Sequence, residues 1–187
     1  MSASEQKSAR VNSLPTEGIR VGHHGILVEF LELCGAFRRG SFFFTAPFFD
    51  KCFLNKLLSE VSIVDTAFEV VVRNSAAAQE MLDYFDRNEC KFISVSIVKD
   101  LHAKVYVFES PGKALLGLVG SHNPTAAGMK ANFEIGIYLA SRIGRPEWRA
   151  LSELRDFLRK SSQPYLRSGT DTGLRRENEY DYRRCIN

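Results

Sequence analysis

The stretch Leu101-His102-Ala103-Lys104-Val105-Tyr106-Val107-Phe108 decides the fold of this chain. Its second half is continuously apolar, which predicts a buried strand over residues 103–108. Residues two apart in a strand point to the same face, so His102 and Lys104 are predicted to project side by side. A titratable nucleophile next to a positive charge suits attack on a phosphodiester.

Two further polar features follow along the chain. The first is a turn, Gly120-Ser121-His122-Asn123, and the second is an isolated acid, Glu134. Taken alone, a His-x-Lys pair indicates only a half-exposed strand, and Gly-Ser-x-Asn is an ordinary turn because these residues favour turns. The ordered combination, set between apolar strands, carries the interpretation.

In that order the residues resemble the signature of the phospholipase D superfamily, which includes phospholipases, metal-independent nucleases and related phosphodiesterases. The resemblance spans residues 101–140 by motif and extends loosely back to Ser41. Two departures are visible, since the acid five residues after Lys104 is Glu109 where the family usually has Asp, and the stretch that follows it is longer than usual. Pro and Gly in Ser110-Pro111-Gly112-Lys113 predict that the second departure is an enlarged hairpin.

The resemblance implies both a fold class and an activity. The fold would be α/β, a mixed β-sheet sandwiched between helices, and the alternation of predicted strands and helices agrees with it. The activity would be that of a metal-independent phosphodiesterase without a cofactor. The most direct form is a nuclease that cleaves DNA or RNA through a covalent phosphohistidine.

Five residues are predicted to be catalytic. His102 would be the nucleophile when neutral, and Lys104 would bring a positive charge to the phosphoryl oxygens. Asn123 and Ser121 would add an amide and a hydroxyl donor. Glu134 would hold the second nitrogen of an imidazole and fix its tautomer.

The remaining assignments concern substrate binding and support. Gly120 would let the backbone approach the substrate closely, and Lys130 would meet a phosphate. His122 is a substrate-binding candidate for which a solvent-facing position is expected. Glu109 is given a supporting role, and no residue is assigned to a metal.

The chain contains one copy of the His-x-Lys element, whereas the mechanism of the family uses two histidines. One forms the phosphohistidine, and the other protonates the leaving group and then activates water. The resemblance therefore implies a homodimer in which His102 of each protomer meets at a two-fold axis.

Composition sets wide limits on the class of protein. The 187 residues, 44% hydrophobic and 25% charged, fit one domain with a modest appendage. A net charge of +3 permits a nucleic-acid partner without requiring one. No apolar run approaches the ~20 residues of a membrane span, and no signal peptide is visible, so a cytoplasmic protein without stable membrane association is expected. The four scattered cysteines predict neither a disulfide framework nor a zinc site.

We predict a flexible N-terminal arm over residues 1–16, a phospholipase D-like catalytic domain over 17–160 and a polar C-terminal tail over 161–187. The tail is expected to order only against a partner or the domain surface. The predicted strands are 41–48, 68–73, 92–98, 103–108, 114–119 and 133–140. The predicted helices begin near His24, after a cap at Asp50, after a cap at Ser75 and at Pro146, the last with an apolar face of Trp148, Leu151, Leu154, Phe157 and Leu158.

Two other functions remain open at this point. One is a phospholipid phosphodiesterase acting on a cardiolipin-type membrane, and the other is a catalytically weakened nucleic-acid-binding module. The phenylalanines at 42–44 and 48–49 look only superficially like a base-stacking set, and core packing is predicted for them. The sequence does not choose between DNA and RNA.

Overall fold

The computed structural model describes residues 18–22, 25–37, 39–111 and 114–166. Within these ranges the strands are β1 (Gly18–Gly22), β2 (Gly40–Ala46), β3 (Thr66–Val72), β4 (Ile93–Ile97), β5 (Val105–Glu109), β6 (Leu115–Gly120), β7 (Gly136–Ser141) and β8 (Gln163–Pro164). The helices are α1 (Ile26–Gly35), α2 (Lys51–Glu60), α3 (Ser75–Arg87), α4 (Ala126–Lys130) and α5 (Pro146–Lys160).

The strands form one mixed sheet in the order β1-β7-β6-β5-β2-β3-β4-β8. Strands β2, β3 and β4 are parallel and are linked through α2 and α3, whereas β5, β6 and β7 form an antiparallel meander. The predicted pairing of β5 and β6 as a hairpin is confirmed, and the Ser110 amide donates to the Ala114 carbonyl at 3.0 Å, whereas residues 112–113 of the predicted enlargement lie outside the described residues. The predicted fold class, a mixed sheet between helices, is therefore confirmed.

Helices cover both faces of the sheet because its central strands are apolar on both sides. All seven residues of β2 are buried. Phe42 and Phe44 pack into one cluster with α1, α2 and α3, and Phe43 packs into a second cluster beneath α5. Full burial of each such side chain stabilises the fold by roughly 1.5–3 kcal/mol, so the Phe42–Phe44 run anchors both layers.

Side-chain caps fix the ends of the helices near the centre of the sheet. Asp50 Oδ1 accepts from the Phe53 amide at 2.9 Å, which confirms the predicted cap of α2. The predicted cap at Ser75 is wrong, because Asn74 Oδ1 accepts from the Ala77 amide at 2.9 Å and Ser75 is the first residue of α3. Asn74 is the better cap there, since its carboxamide oxygen reaches the first turn.

The first and last described segments add edge strands that the sequence pattern did not predict. Strand β1 lies ahead of the first helix and pairs with β7, while β8 pairs with β4 just past Lys160. Tyr165 continues this contact, because its amide donates to the Val95 carbonyl at 2.9 Å and its hydroxyl to Gln79 Oε1 at 3.0 Å. The start of the predicted tail thus lies on the domain surface, whereas the predicted arm and residues 167–187 lie outside the described residues.

The last helix matches its prediction except at one position. Pro146 occupies the first turn, and Leu151 and Leu158 are buried against the sheet. The prediction that Phe157 belongs to the buried apolar face of this helix is wrong, since 65% of the residue is exposed. None of the helices in the described ranges has the length and apolarity that a membrane crossing requires.

Candidate active site

The predicted catalytic residues lie at one end of the sheet. There β2 and β6 finish, and β5 and β7 begin in the antiparallel sense. Because neighbouring antiparallel strands run in opposite directions, the segment before β5, the turn after β6 and the segment before β7 meet at this end of the sheet. We call this end of the sheet the active edge. Residues far apart in the sequence are thereby brought together.

His102 and Lys104 precede β5 and are not part of it, so the predicted start of the strand at Ala103 is wrong. The reason is a side chain on the neighbouring strand. Thr45 Oγ1 donates to the Ala103 carbonyl at 2.6 Å and accepts from the Val105 amide at 2.9 Å. A threonine hydroxyl therefore takes the place of backbone partners where the strand would otherwise continue.

The side-by-side arrangement of His102 and Lys104 stays a prediction, and the packing of their neighbours agrees with it. Leu101, Ala103 and Val105 all pack against the apolar cluster beneath α5. Because these three residues alternate with His102 and Lys104, we expect the latter two side chains to face the other side of the sheet. His102 is exposed and Lys104 is half-buried.

Backbone hydrogen bonds join this segment to the Gly120–Asn123 turn and to the start of β7. The Gly120 amide donates to the Lys104 carbonyl at 3.2 Å, and the Ser121 amide donates to the Ile135 carbonyl at 3.0 Å. A Cβ on Gly120 would lie 2.4 Å from the Ile135 carbonyl oxygen. The glycine therefore serves the close approach of two strands, which is a structural reason different from the predicted approach to substrate.

Glu134 is buried at the bottom of this edge, with only 7% of it exposed. The Ser121 hydroxyl donates to its carboxylate, and Asn132 Nδ2 donates to Glu134 Oε1 at 3.1 Å. Glu134 comes just before β7, because the predicted strand start at Phe133 is wrong and β7 begins at Gly136. Among the described residues no hydrogen bond joins Glu134 to His102, so its predicted role in fixing an imidazole stays a prediction.

Comparison with known proteins was made on sequence and on structure. No known family profile matches the chain, and no curated protein matches it in sequence. Nuc, a phospholipase D family member from Salmonella typhimurium, superposes with a TM-score of 0.58 at 15% identity, over 80% of this chain and 99% of Nuc. NucT from Helicobacter pylori gives 0.54 at 12% identity, over 79% of this chain and all of NucT.

The fold of the chain is therefore phospholipase D-like. A third match, phosphatidylserine synthase from Haemophilus influenzae, gives a TM-score of 0.57 at 12% identity over 90% of this chain, which spans 44% of that enzyme. Identities this low establish the phospholipase D-like fold alone. The superposed part of the chain spans nearly all of Nuc, all of NucT and less than half of the synthase.

Glu109, the acid at the departing position of the phospholipase D signature, lies at the far end of β5. It lies four residue steps along the extended strand from Val105, a distance of roughly 14 Å. Its carboxylate is 2.6 Å from Arg155 Nη1 on α5, and both side chains are largely buried. The predicted supporting role is thus structural in character, since the ion pair fastens the last helix to the sheet.

His122 differs most from its prediction, because the expected solvent-facing position is wrong and the residue is only 1% exposed. Its carbonyl accepts from the Tyr106 hydroxyl at 2.7 Å. Burial lowers the pKa of the His122 imidazole, and the nearby Glu134 carboxylate opposes that shift. Neither ring nitrogen has a hydrogen-bond partner among the described residues, so the neutral form is favoured.

The His122 pKa has a consequence for stability that can be measured. The folded state holds this imidazole below the ordinary value of 6.5, so the unfolded chain binds the proton first as the pH falls. We expect the free energy of unfolding to decrease as the pH drops below that value, and to show no such contribution above it. Urea unfolding of wild type and His122→Gln across this range should give a smaller decrease for the variant, and parallel curves would contradict the assignment.

Basic side chains at the active edge differ in their ion pairing from those elsewhere in the described residues. Lys56, Arg155 and Arg159 all lie within salt-bridge distance of carboxylates. In the described part of the chain, Lys104 has no such partner, and neither have Arg73 and Lys99 beyond the ends of β3 and β4. Lys130, exposed at the end of α4, is likewise without one among the described residues. The described ranges contain no group of three or more side chains placed to hold a metal ion.

Proposed function

We propose that this protein is a metal-independent phosphodiesterase that cleaves nucleic acid through a covalent phosphohistidine on His102. One observation carries the proposal. The His102–Lys104 segment, the Gly120–Asn123 turn and buried Glu134 share one sheet edge, joined by the Gly120–Lys104 and Ser121–Glu134 hydrogen bonds. The phospholipase D-like fold, shared with Nuc and NucT, supports a phosphodiesterase role.

In this proposal the neutral imidazole of His102 attacks phosphorus, and the bond from phosphorus to the leaving oxygen breaks. Lys104 and the amide of Asn123 stabilise the charge on the phosphoryl oxygens. Asn123 lies in the turn after β6, and its Oδ1 is buried without a partner in the described residues, so the carboxamide is not committed to a hydrogen bond through that atom. Glu134 fixes the Ser121 hydroxyl at the base of the site.

The leaving oxygen needs a proton, and the water that cleaves the phosphohistidine needs a base. Of the two histidines in the described ranges, His122 is buried, which leaves His102 as the exposed imidazole. We therefore propose that the second imidazole is His102 of a second copy. Protonated, it donates to the leaving oxygen; neutral again, it takes a proton from water as the bond between His102 and phosphorus breaks.

A surface next to the site fits such a second copy. Strand β1 pairs with β7 so that Val21 lies opposite Ile137, and alternation along β7 places Ile135 on the same face. We call the exposed side chains here the β1–β7 apolar face: Ile19, Val21, Phe133, Ile135 and Ile137. Phe133 and Ile135 are the sequence neighbours of Glu134, so the face extends to the end of the sheet that carries the site, and a copy docked on it would lie next to that end.

Nucleic acid is the proposed substrate because the active edge carries cations that have no carboxylate partner among the described residues. Lys104, Lys99 and Arg73 are available to phosphates, and a polynucleotide presents one phosphate per nucleotide. The β1–β7 apolar face supports a second candidate, a phospholipid phosphodiesterase in which this face meets a membrane surface. The two differ in what covers the face, a second copy or lipid.

The test is cleavage by the wild-type protein in excess EDTA. Labelled single-stranded DNA, double-stranded DNA and RNA are offered in parallel with cardiolipin vesicles. We expect cleavage of at least one polynucleotide, undiminished by EDTA and weakened as salt rises. Activity on vesicles alone would replace the nuclease proposal with the lipid one, and inactivity on every substrate would overturn both.

A further inference from the structure

Phe48 and Arg73 form an exposed pair at the active edge of the sheet. They follow the partnered ends of two parallel strands, since Ala46 of β2 lies opposite Val72 of β3. The Arg73 guanidinium carbon lies 4.2 Å from the centre of the Phe48 ring. Phe48 is 44% exposed, so the core position predicted for it is wrong, while Phe42–Phe44 are confirmed in the core.

The loop that carries Phe48 is tied to the site on both sides. Just before it, the Thr45 hydroxyl bonds to the backbone of Ala103 and Val105 around Lys104. Just after it, the Asp50 amide donates to the Pro124 carbonyl at 3.1 Å, and Asp50 Oδ2 accepts from the Ala126 amide at 2.7 Å. Strand β5 pairs with β2, so Phe48, two residues past the end of β2, lies at the same end of the sheet as the His102–Lys104 segment that precedes β5.

Neither member of the pair is explained by the stability of the fold. A side chain that is 44% exposed gains only part of the burial energy of a core phenylalanine, and an exposed cation–π contact contributes only about 0.5–1 kcal/mol. Arg73 has no carboxylate partner among the described residues, so its charge is available to a ligand. An aromatic surface next to a free guanidinium is the combination by which proteins hold unpaired bases and their phosphates.

We infer that Phe48 and Arg73 form a stacking platform for an unpaired base next to the scissile phosphate. The inference rests on the proposed function and narrows its substrate to single-stranded nucleic acid, or to unpaired segments within a duplex. The ring stacks on the base, and the guanidinium, oriented by the ring, donates to an adjacent phosphate. Stacking of this kind changes affinity by about tenfold or more per base.

The test separates stacking from charge by comparing two chains of equal length. One is an oligothymidylate or an oligouridylate, and the other carries the same phosphates on sugars without bases. Affinities are measured by fluorescence anisotropy on the His102→Ala background, so that cleavage does not interfere. The variants are Phe48→Ala, Phe48→Trp and Arg73→Gln, with Phe157→Ala as the matched control because Phe157 is exposed on α5.

We expect the His102→Ala protein to bind the base-bearing chain more tightly than the baseless one. Adding Phe48→Ala should remove most of that preference, a loss of about tenfold. Phe48→Trp and Phe157→Ala should keep it, and Arg73→Gln should weaken binding to both chains. Equal losses on both chains for Phe48→Ala, or an effect no larger than that of Phe157→Ala, would overturn the platform.

The outcomes also separate this inference from the function on which it rests. If wild type cleaves polynucleotides and Phe48→Ala behaves like Phe157→Ala, the platform alone is overturned. If the His102→Ala protein binds neither chain and wild type cleaves neither, the proposed function fails as well. A clear preference for duplex over single strands would refute the inferred substrate class and leave the nuclease proposal standing.

Discussion

Cleavage in EDTA is expected to fall by about 10⁴-fold or more in His102→Ala, because loss of a nucleophile removes the covalent route altogether. Stability should hardly change, since the side chain is exposed and makes no hydrogen bond among the described residues. The rate constant and the thermal midpoint are measured on the same preparation. A large loss of rate at constant midpoint is the expected pair of results.

The covalent step itself can be trapped. Wild type quenched in alkali during turnover should carry labelled phosphate on the peptide that contains His102, and His102→Ala should carry none. Lys104→Ala should also lose activity, whereas Lys91→Ala is the matched control, because Lys91 is exposed just before β4 at the opposite edge of the sheet. Label on another residue, or wild-type rates in His102→Ala, would refute the assignment of the nucleophile.

The strands at the centre of the sheet could be predicted because their sequences leave little choice. Phe42–Phe44 and residues 105–108 are continuous apolar runs that only a doubly covered strand can bury. The N-cap at Asp50 could be predicted as well, because a short side chain that accepts hydrogen bonds just before an apolar helical segment favours that position. Strand β1 could not be predicted, because Gly18-Ile19-Arg20-Val21-Gly22 is short and flanked by glycines, and its partner β7 is distant in the sequence.

The polar residues of the site could be predicted by type and order, and their surroundings could not. Burial of His122 depends on its packing against Gly136, where an added Cβ would lie 2.9 Å from the imidazole Cε1. Nothing local to a Gly-Ser-x-Asn turn indicates that contact. The exposed position of Phe48 is a similar case, since only the loop geometry after β2 separates it from its buried neighbours. Sequence analysis did not single out Asn132, whose amide donates to Glu134 Oε1. Its position two residues before Glu134 is the sequence feature that could have indicated this contact.

Arginine at Ile137 is expected to convert the protein to a monomer and to abolish its activity together. Ile137 lies on the β1–β7 apolar face, 45% exposed, and in the proposed dimer a charge introduced near the two-fold axis would meet its own copy. A monomer would lack the second imidazole, so activity should fall at least about 100-fold, the typical contribution of a positioned general acid. Light scattering and cleavage are measured together, and Val64→Arg is the matched control because Val64 is also exposed and lies before β3, away from the site.

Mixing experiments test whether one site needs both copies of His102. If each dimer holds one site with two histidines, random pairing of equal amounts of wild type and His102→Ala gives about one quarter of the activity of the same total amount of wild type. Mixing wild type with Ile137→Arg should instead leave about one half, because that variant does not pair. Activity that falls in direct proportion to the wild-type fraction in both mixtures would show that a single copy suffices. The general acid would then have to be found within one chain, and the β1–β7 apolar face would need another occupant.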